Sequence, residues 1–142
     1  MAEVLSMGAV DLSGKRVLIR ADLNVPIQQG VVTSDARIRA SLATIQQALS
    51  ANASVVVMSH LGRPKEGEFD AESSLAPVAT RLSELLGRPV ELLPNIAACA
   101  DVQAGSVALL ENVRFFVGEK LYSEHSLNPC DFFLIEFLLA WC

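Results

Sequence analysis

Short apolar runs alternate with amphipathic stretches along this chain, and the two periods separate its elements. Arg16-Val17-Leu18-Ile19-Arg20 is brief, β-branched and apolar at its centre, which predicts a strand. Asp22 to Gly30 breaks the pattern with Pro26 and Gly30 and reads as a loop. Ser34 is placed to cap a helix, with Asp35 in its first turn. Ile38, Leu42, Ile45 and Leu49 then recur at spacings of four, three and four, one apolar face of a helix over about Asp35 to Ser50. The continuous run Ser54–Ser59 predicts a strand buried on both faces, as in a parallel sheet. His60 to Asp70 is rich in glycine, proline and charge and reads as a loop. Ser74 is placed to cap a second helix that buries Val78, Leu82, Leu85 and Leu86 and ends at Gly87. Val90–Leu93 and Val107–Leu110 predict a third and a fourth strand, with the stretch between them, Asn95 to Gly105, left as one helical turn or two. Strands alternating with helices imply parallel β-α-β units, an α/β fold with helices flanking a parallel sheet in Rossmann-like layers.

Composition narrows the class. Of 142 residues, 51% are apolar and 19% charged, the balance of a globular domain rather than a disordered chain. The formal charge of −5 argues against general nucleic-acid binding, which relies on lysine and arginine. An anionic ligand therefore needs a local basic cluster. Cys99, Cys130 and Cys142 form no C-x-x-C pair, so neither a zinc site nor a disulfide framework is indicated. The first residues lack the basic start and long apolar core of a signal peptide. Phe132–Trp141 is apolar but interrupted by Glu136, and shorter than the roughly 20 residues of a membrane helix. A reducing, cytoplasmic setting without a membrane is the expectation.

In open α/β sheets ligands sit beyond the carboxyl ends of the strands. Asp22 and Asn24 follow the first strand, His60 and Arg63 the second, Arg114 the fourth, and Arg37 opens the first helix. Arginine matches phosphate or carboxylate with a planar fork of donors, and a helix N-terminus adds oriented N–H groups. Asp22 suits a substrate hydroxyl, and Asn24 both donates and accepts. Plainer readings stand beside these. Asp22 and Asn24 before Pro26 also fit an Asx turn. Arg37 fits an exposed helix arginine, and His60, Gly62 and Pro64 fit turn positions. Arg114 fits a surface pair with Glu111 or Glu119. No phosphate-cradling glycine loop and no hydrolytic triad is visible.

Several runs nevertheless combine into one likeness. Arg20-Ala21-Asp22-Leu23-Asn24-Val25-Pro26 resembles the first signature of phosphoglycerate kinases, and Val32-Thr33-Ser34-Asp35-Ala36-Arg37-Ile38 the segment after it. Met58-Ser59-His60-Leu61-Gly62-Arg63-Pro64 is similar to the second signature. Leu110-Glu111-Asn112-Val113-Arg114-Phe115 is similar to the third, which Val117-Gly118-Glu119-Lys120 continues. The likeness covers about Met7 to Lys120 in order and spacing. It implies phosphoryl transfer between 1,3-bisphosphoglycerate and ADP, giving 3-phosphoglycerate and ATP. By resemblance, Asp22 and Asn24 bind the glycerate hydroxyl and its neighbours. Arg37 sits beside the transferring group as the catalytic residue, and His60, Arg63 and Arg114 grip the remote phosphate. Leu61 and Gly62 shape the loop.

The resemblance also implies what lies outside this sequence. The family has two domains and is usually monomeric, and its second domain holds Mg-ATP or Mg-ADP. The expectation is an N-terminal domain fragment, residues 1–120, that carries the acid-substrate site and does not turn over alone. The alternatives are a non-catalytic 3-phosphoglycerate-binding remnant or an inactive truncated product. Residues 121–142 form an atypical apolar tail. Within it Cys130-Asp131-Phe132-Phe133-Leu134-Ile135-Glu136 is faintly similar to a family strand, while 122–129 is unlike the helix implied there. A frame-shift or truncation accounts for that change. A separate reading makes the tail, with Phe132, Phe133, Phe137 and Trp141, an adhesion surface.

Overall fold

Among the described residues five strands lie in one parallel sheet of order β5-β6-β4-β1-β7. In this computed structural model residues 11–65, 67–95, 98, 101–115 and 133–136 are described. The strands are β1 (Arg16–Arg20), β4 (Ser54–Met58), β5 (Glu91–Leu93), β6 (Val107–Leu110) and β7 (Phe133–Glu136), and β2 (Ile27–Gln28) and β3 (Val31–Val32) make a separate antiparallel hairpin. The helices are α1 (Ala36–Ser50) and α2 (Ala76–Leu86). The fold is α/β, as the alternating pattern implies.

The strands are apolar at their centres because both sheet faces are covered. On one face Val17, Ile19, Val55, Val57, Val107 and Leu109 meet Ile38, Ile45 and Ala48 of α1 and Val78 and Leu82 of α2. On the other, Leu18, Val56, Met58, Leu93, Ala108 and Leu110 form a smaller cluster, met by Ala98, Val102 and Val113. Among the described residues both long helices thus share one face, and a short segment around Ala98 and Val102 represents the opposite layer.

Three local expectations are corrected. The stretch Asp22 to Gly30 is not all loop, because Ile27–Gln28 pairs with Val31–Val32 across a turn in which Gln29 and Gly30 both have positive φ. Two-residue strands leave no periodic trace. The first helix has Asp35, not Ser34, at its N-cap, and no side chain caps it. The Asp35 carboxylate instead accepts from Arg39 Nε at 3.0 Å and from Arg81 Nη2 at 2.7 Å. In α2 the N-cap is Leu75 and not Ser74. Ser74 Oγ still accepts from Ala76 N–H at 3.2 Å, but its hydroxyl donates to Glu111 Oε2 at 2.8 Å.

The buried face of α1 is Ile38, Ser41, Ile45 and Ala48, while Leu42 and Leu49 are partly buried. The small side chains face the sheet and let the helix lie close, and the two leucines fill its flanks. Similarly, Leu85 and Leu86 of α2 are partly buried, with Val78, Ala79 and Leu82 fully inside. Gly87 ends α2 in the left-handed conformation as expected.

β7 falls in the segment 121–142 and pairs in parallel with β1, Val17 opposite Phe133 and Arg20 opposite Glu136. The other residues of that segment lie outside the described part, as does the adhesive surface expected of Phe132, Phe137 and Trp141. No helix among the described residues is long and apolar enough to cross a membrane.

Candidate functional site

Because β6, β4 and β1 are neighbours and run parallel, the chain leaves all three at one edge of the sheet. The three loops there are joined by side-chain hydrogen bonds. Leu23 N–H, fully buried, donates to Ser59 Oγ at 2.9 Å, and Val113 N–H donates to the Ser59 carbonyl at 3.1 Å. Ser59 thus links the loop after β1 to the turn after β6. Gly62 N–H donates to Asn24 Oδ1 at 3.2 Å, a second link between the β1 and β4 loops. Gly62 has φ +62°, and a Cβ there would stand 3.4 Å from Ser73 Oγ. The strain of that backbone region for a side chain, more than the space, favours glycine.

Asp22, Asn24 and Arg37 come together. Asp22 Oδ1 accepts from Asn24 N–H at 3.1 Å and from Arg37 Nη1 at 3.2 Å, and Arg37 Nη1 also donates to the Asn24 carbonyl at 2.8 Å. The Asx-type contact and the ion pair therefore coexist on one oxygen. Arg37 stands in the first turn of α1, where the helix N-terminus adds to a positive local field. The side chains of Arg37 and Asp22 are 51% and 41% exposed, so water screens the pair and opening it costs little.

His60 is half-buried and Leu61 buried, while Gly62 and Arg63 are exposed. Arg63 makes no hydrogen bond or ion pair with a described residue. Arg114 lies in the 3₁₀ turn Val113–Phe115 that follows β6, on the same edge, and its side chain lies outside the described part. The loop 65–70 folds against this turn. Gly67 N–H donates to the Phe115 carbonyl at 3.0 Å, and the Phe69 and Phe115 rings lie 5.3 Å apart, tilted by 59°.

Three residues at this edge carry bonds that the reading of the sequence did not assign: Ser59, Glu111 and Asn112. Glu111 is buried, and its carboxylate accepts from Leu75 N–H and Ser74 Oγ, both at 2.8 Å, and from Asn112 N–H at 2.9 Å. Asn112 is wholly buried, and its Nδ2 donates to the Leu61 carbonyl at 2.7 Å and the Ser73 carbonyl at 2.9 Å. A polar pair directly after a fully buried strand is the signal that was available.

A second cleft, of about 640 Å³, lies between the hairpin and α2 and is lined by residues 30–36, Pro77, Thr80, Arg81 and Glu84. None of the candidate residues lines it. Its charges are spent on one another: Arg81 joins Asp35 and, at 2.8 Å, Glu84. Hydrogen bonds from Arg39 and then Arg81 hold the Asp35 carboxyl below its ordinary range, and Glu84 and Asp35 raise Arg81 above its own.

Comparison with known proteins identifies the family. The model of the family described as Phosphoglycerate kinase matches residues 7–137. The chain belongs to the phosphoglycerate kinase family. Among solved structures it is similar to phosphoglycerate kinase from Coxiella burnetii, at 49% identity and a TM-score of 0.75, over 79% of this chain and 28% of that one. It is similar also to phosphoglycerate kinase from Pyrococcus horikoshii OT3, at 33% identity and a TM-score of 0.72, over 82% of this chain and 29% of that one. The chain spans under a third of the length of these two kinases. The match to the phosphoglycerate kinase family bears out the likeness carried by the three signature runs, and it continues past Lys120 through β7.

Proposed function

We propose that this chain carries the acid-substrate site of a phosphoglycerate kinase and binds 3-phosphoglycerate or 1,3-bisphosphoglycerate. The observation that carries the reading is the convergence of the loops after β1, β4 and β6 on one sheet edge, joined through Ser59, Asn24 and Asn112. Asp22 and Asn24 receive the glycerate hydroxyl and its neighbours. Arg37 stands at a helix N-terminus beside Asp22, where it meets the carboxyl end of the acid and offsets charge on the transferring group. His60, Arg63 and Arg114 hold the remote phosphate, with Leu61 and Gly62 shaping the loop between them. All of these residues lie in 1–120, the part proposed to bind phosphoglycerate, and the segment after it adds β7 to the sheet.

In the phosphoryl transfer of the family, ADP accepts the group from 1,3-bisphosphoglycerate, and Mg-nucleotide supplies the other half of the reaction. Among the described residues no three or more His, Cys, Asp and Glu side chains gather as metal ligands, and no glycine-rich phosphate loop is present in the sequence. The nucleotide is assigned to a part of the family's length that this chain does not span, and the setting to a cytoplasmic monomer without nucleic-acid or membrane partners.

Titration calorimetry with 3-phosphoglycerate tests the reading. The 142-residue chain gives heat, and Arg63→Ala weakens binding about tenfold or more, the worth of a charge-assisted phosphate contact. Absence of heat from the unmodified chain overturns the proposal. The proposal gives this chain the acid-substrate site alone, and so binding without turnover. A coupled assay for ATP formation on this chain then stays at background, and clear turnover refutes that part.

A further inference from the structure

The loop His60–Arg63 has to present its donors to a phosphate, yet its own fixing point lies outside it. The Leu61 carbonyl, in the middle of that loop, accepts from Asn112 Nδ2 at 2.7 Å. The peptide that begins with this carbonyl ends in Gly62 N–H, which donates to Asn24 Oδ1 at 3.2 Å. Peptide planarity couples the two groups: turning the Leu61 carbonyl turns the Gly62 N–H with it. Asn112 also donates to the Ser73 carbonyl at 2.9 Å, so both hydrogens of one buried amide are used. Ser73 ends the 3₁₀ turn Ala71–Ser73 that leads into α2, and Glu111 accepts from the N–H of the α2 N-cap, Leu75.

We propose that Asn112 is a positioning residue for the phosphate-binding loop. It fixes the Leu61–Gly62 peptide, and through Asn24 it sets the separation of the β1 and β4 loops, without touching the ligand. The inference rests on the reading of the site given above. Asn112→Asp is its probe. The substitution keeps the shape of the side chain but presents carboxylate oxygen to the two carbonyls that Nδ2 now serves. Asn112→Ser retains a small polar group and serves as the second variant.

Two measurements on the 142-residue chain test it, with Leu82→Ala as a control that opens the buried core under α2 and removes no hydrogen bond of the loop. The first needs no ligand: amide hydrogen exchange at Gly62. Exchange there accelerates tenfold or more in both Asn112 variants relative to Val56 and Leu109 in the same samples, whereas in Leu82→Ala it changes only in step with them. The second is titration with 3-phosphoglycerate under conditions where each variant is folded. Affinity falls about tenfold in the Asn112 variants and stays unchanged in Leu82→Ala. Unaltered Gly62 exchange overturns the inference whatever the ligand does. Accelerated exchange with undiminished affinity overturns it as well. If both Asn112 variants fail to fold while Leu82→Ala folds, Asn112 is a residue of the fold alone and the inference falls. No heat from the unmodified chain overturns the reading of the site and the inference together, which separates that result from the other three.

Discussion

Asp35 is expected in the first turn of α1, and it stands instead at the N-cap with its side-chain partners elsewhere. Its carboxylate takes a hydrogen bond from Arg39 one turn along α1 and two from Arg81 of α2. The Arg39 neighbour was in view in the sequence, but Arg81 was not, because nothing local says that α1 and α2 lie side by side. The same holds at the edge of the sheet where the loops after β1, β4 and β6 meet. Asp22, Asn24 and Arg37 were legible as a group because they lie close in sequence on either side of a short hairpin. The service of Asn112 to Leu61 spans two strands and a helix. A consequence for acid stability follows from the Asp35 partners. Its carboxyl is held below its unfolded value, so the stabilisation it gives is complete above the ordinary carboxylate range and is lost as pH falls through the lowered folded value. Asp35→Asn lowers the melting temperature near neutral pH, and the gap to the parent narrows as the solution is acidified below that range. A gap that stays constant across acid pH in thermal melts would sink this account.

At the scale of elements, the strands were the most readable part. Runs buried on both faces, such as Val55-Val56-Val57, carry no polar residue to confuse them. The starts of the helices were the least readable. Ser74 reads as a cap for α2, but the buried carboxylate of Glu111, just past β6, accepts from the Leu75 N–H at the N-cap and from the Ser74 hydroxyl from across the fold. A strand end thus does the work of a local cap, and β6 and α2 become one unit. Glu111→Ala leaves buried donors at Leu75 and Asn112 without their acceptor and costs about 2 kcal/mol or more. Glu111→Gln retains a carbonyl oxygen for the same two N–H groups, and its amide can donate to Ser74 Oγ, so it costs less. Chemical denaturation of the two variants checks the order, with exchange at the first turn of α2 reporting the loosening. Equal losses for alanine and glutamine contradict a hydrogen-bonding role.

The whole molecule is organised around β1, which pairs with β4 on one side and β7 on the other. The α/β class was legible from the alternation of runs, and the family from the three signatures. The place of β7 was not, because Cys130–Glu136 has only a loose likeness to a family strand and the residues before it gave no guide. The pairing changes what removal of the tail should do. Ending the chain after Lys120 strips β1 of one partner and bares its N–H and C=O groups, a template for pairing with another chain. Light scattering then shows larger species for the shortened chain than for the intact one. A shortened chain that is less associated than the intact one restores the tail as an adhesive surface.

The same pairing bears on how the protein is made. A ribosome delivers β1 first among the strands of the main sheet and β7 last. β4 can join β1 as soon as α1 has formed between them, but the opposite flank of β1 stays open until position 136 has left the exit tunnel. The oldest strand of the sheet is therefore the one that waits longest for its neighbour. The interval in which a nascent chain needs shielding by chaperones is set by the time taken to translate everything between them.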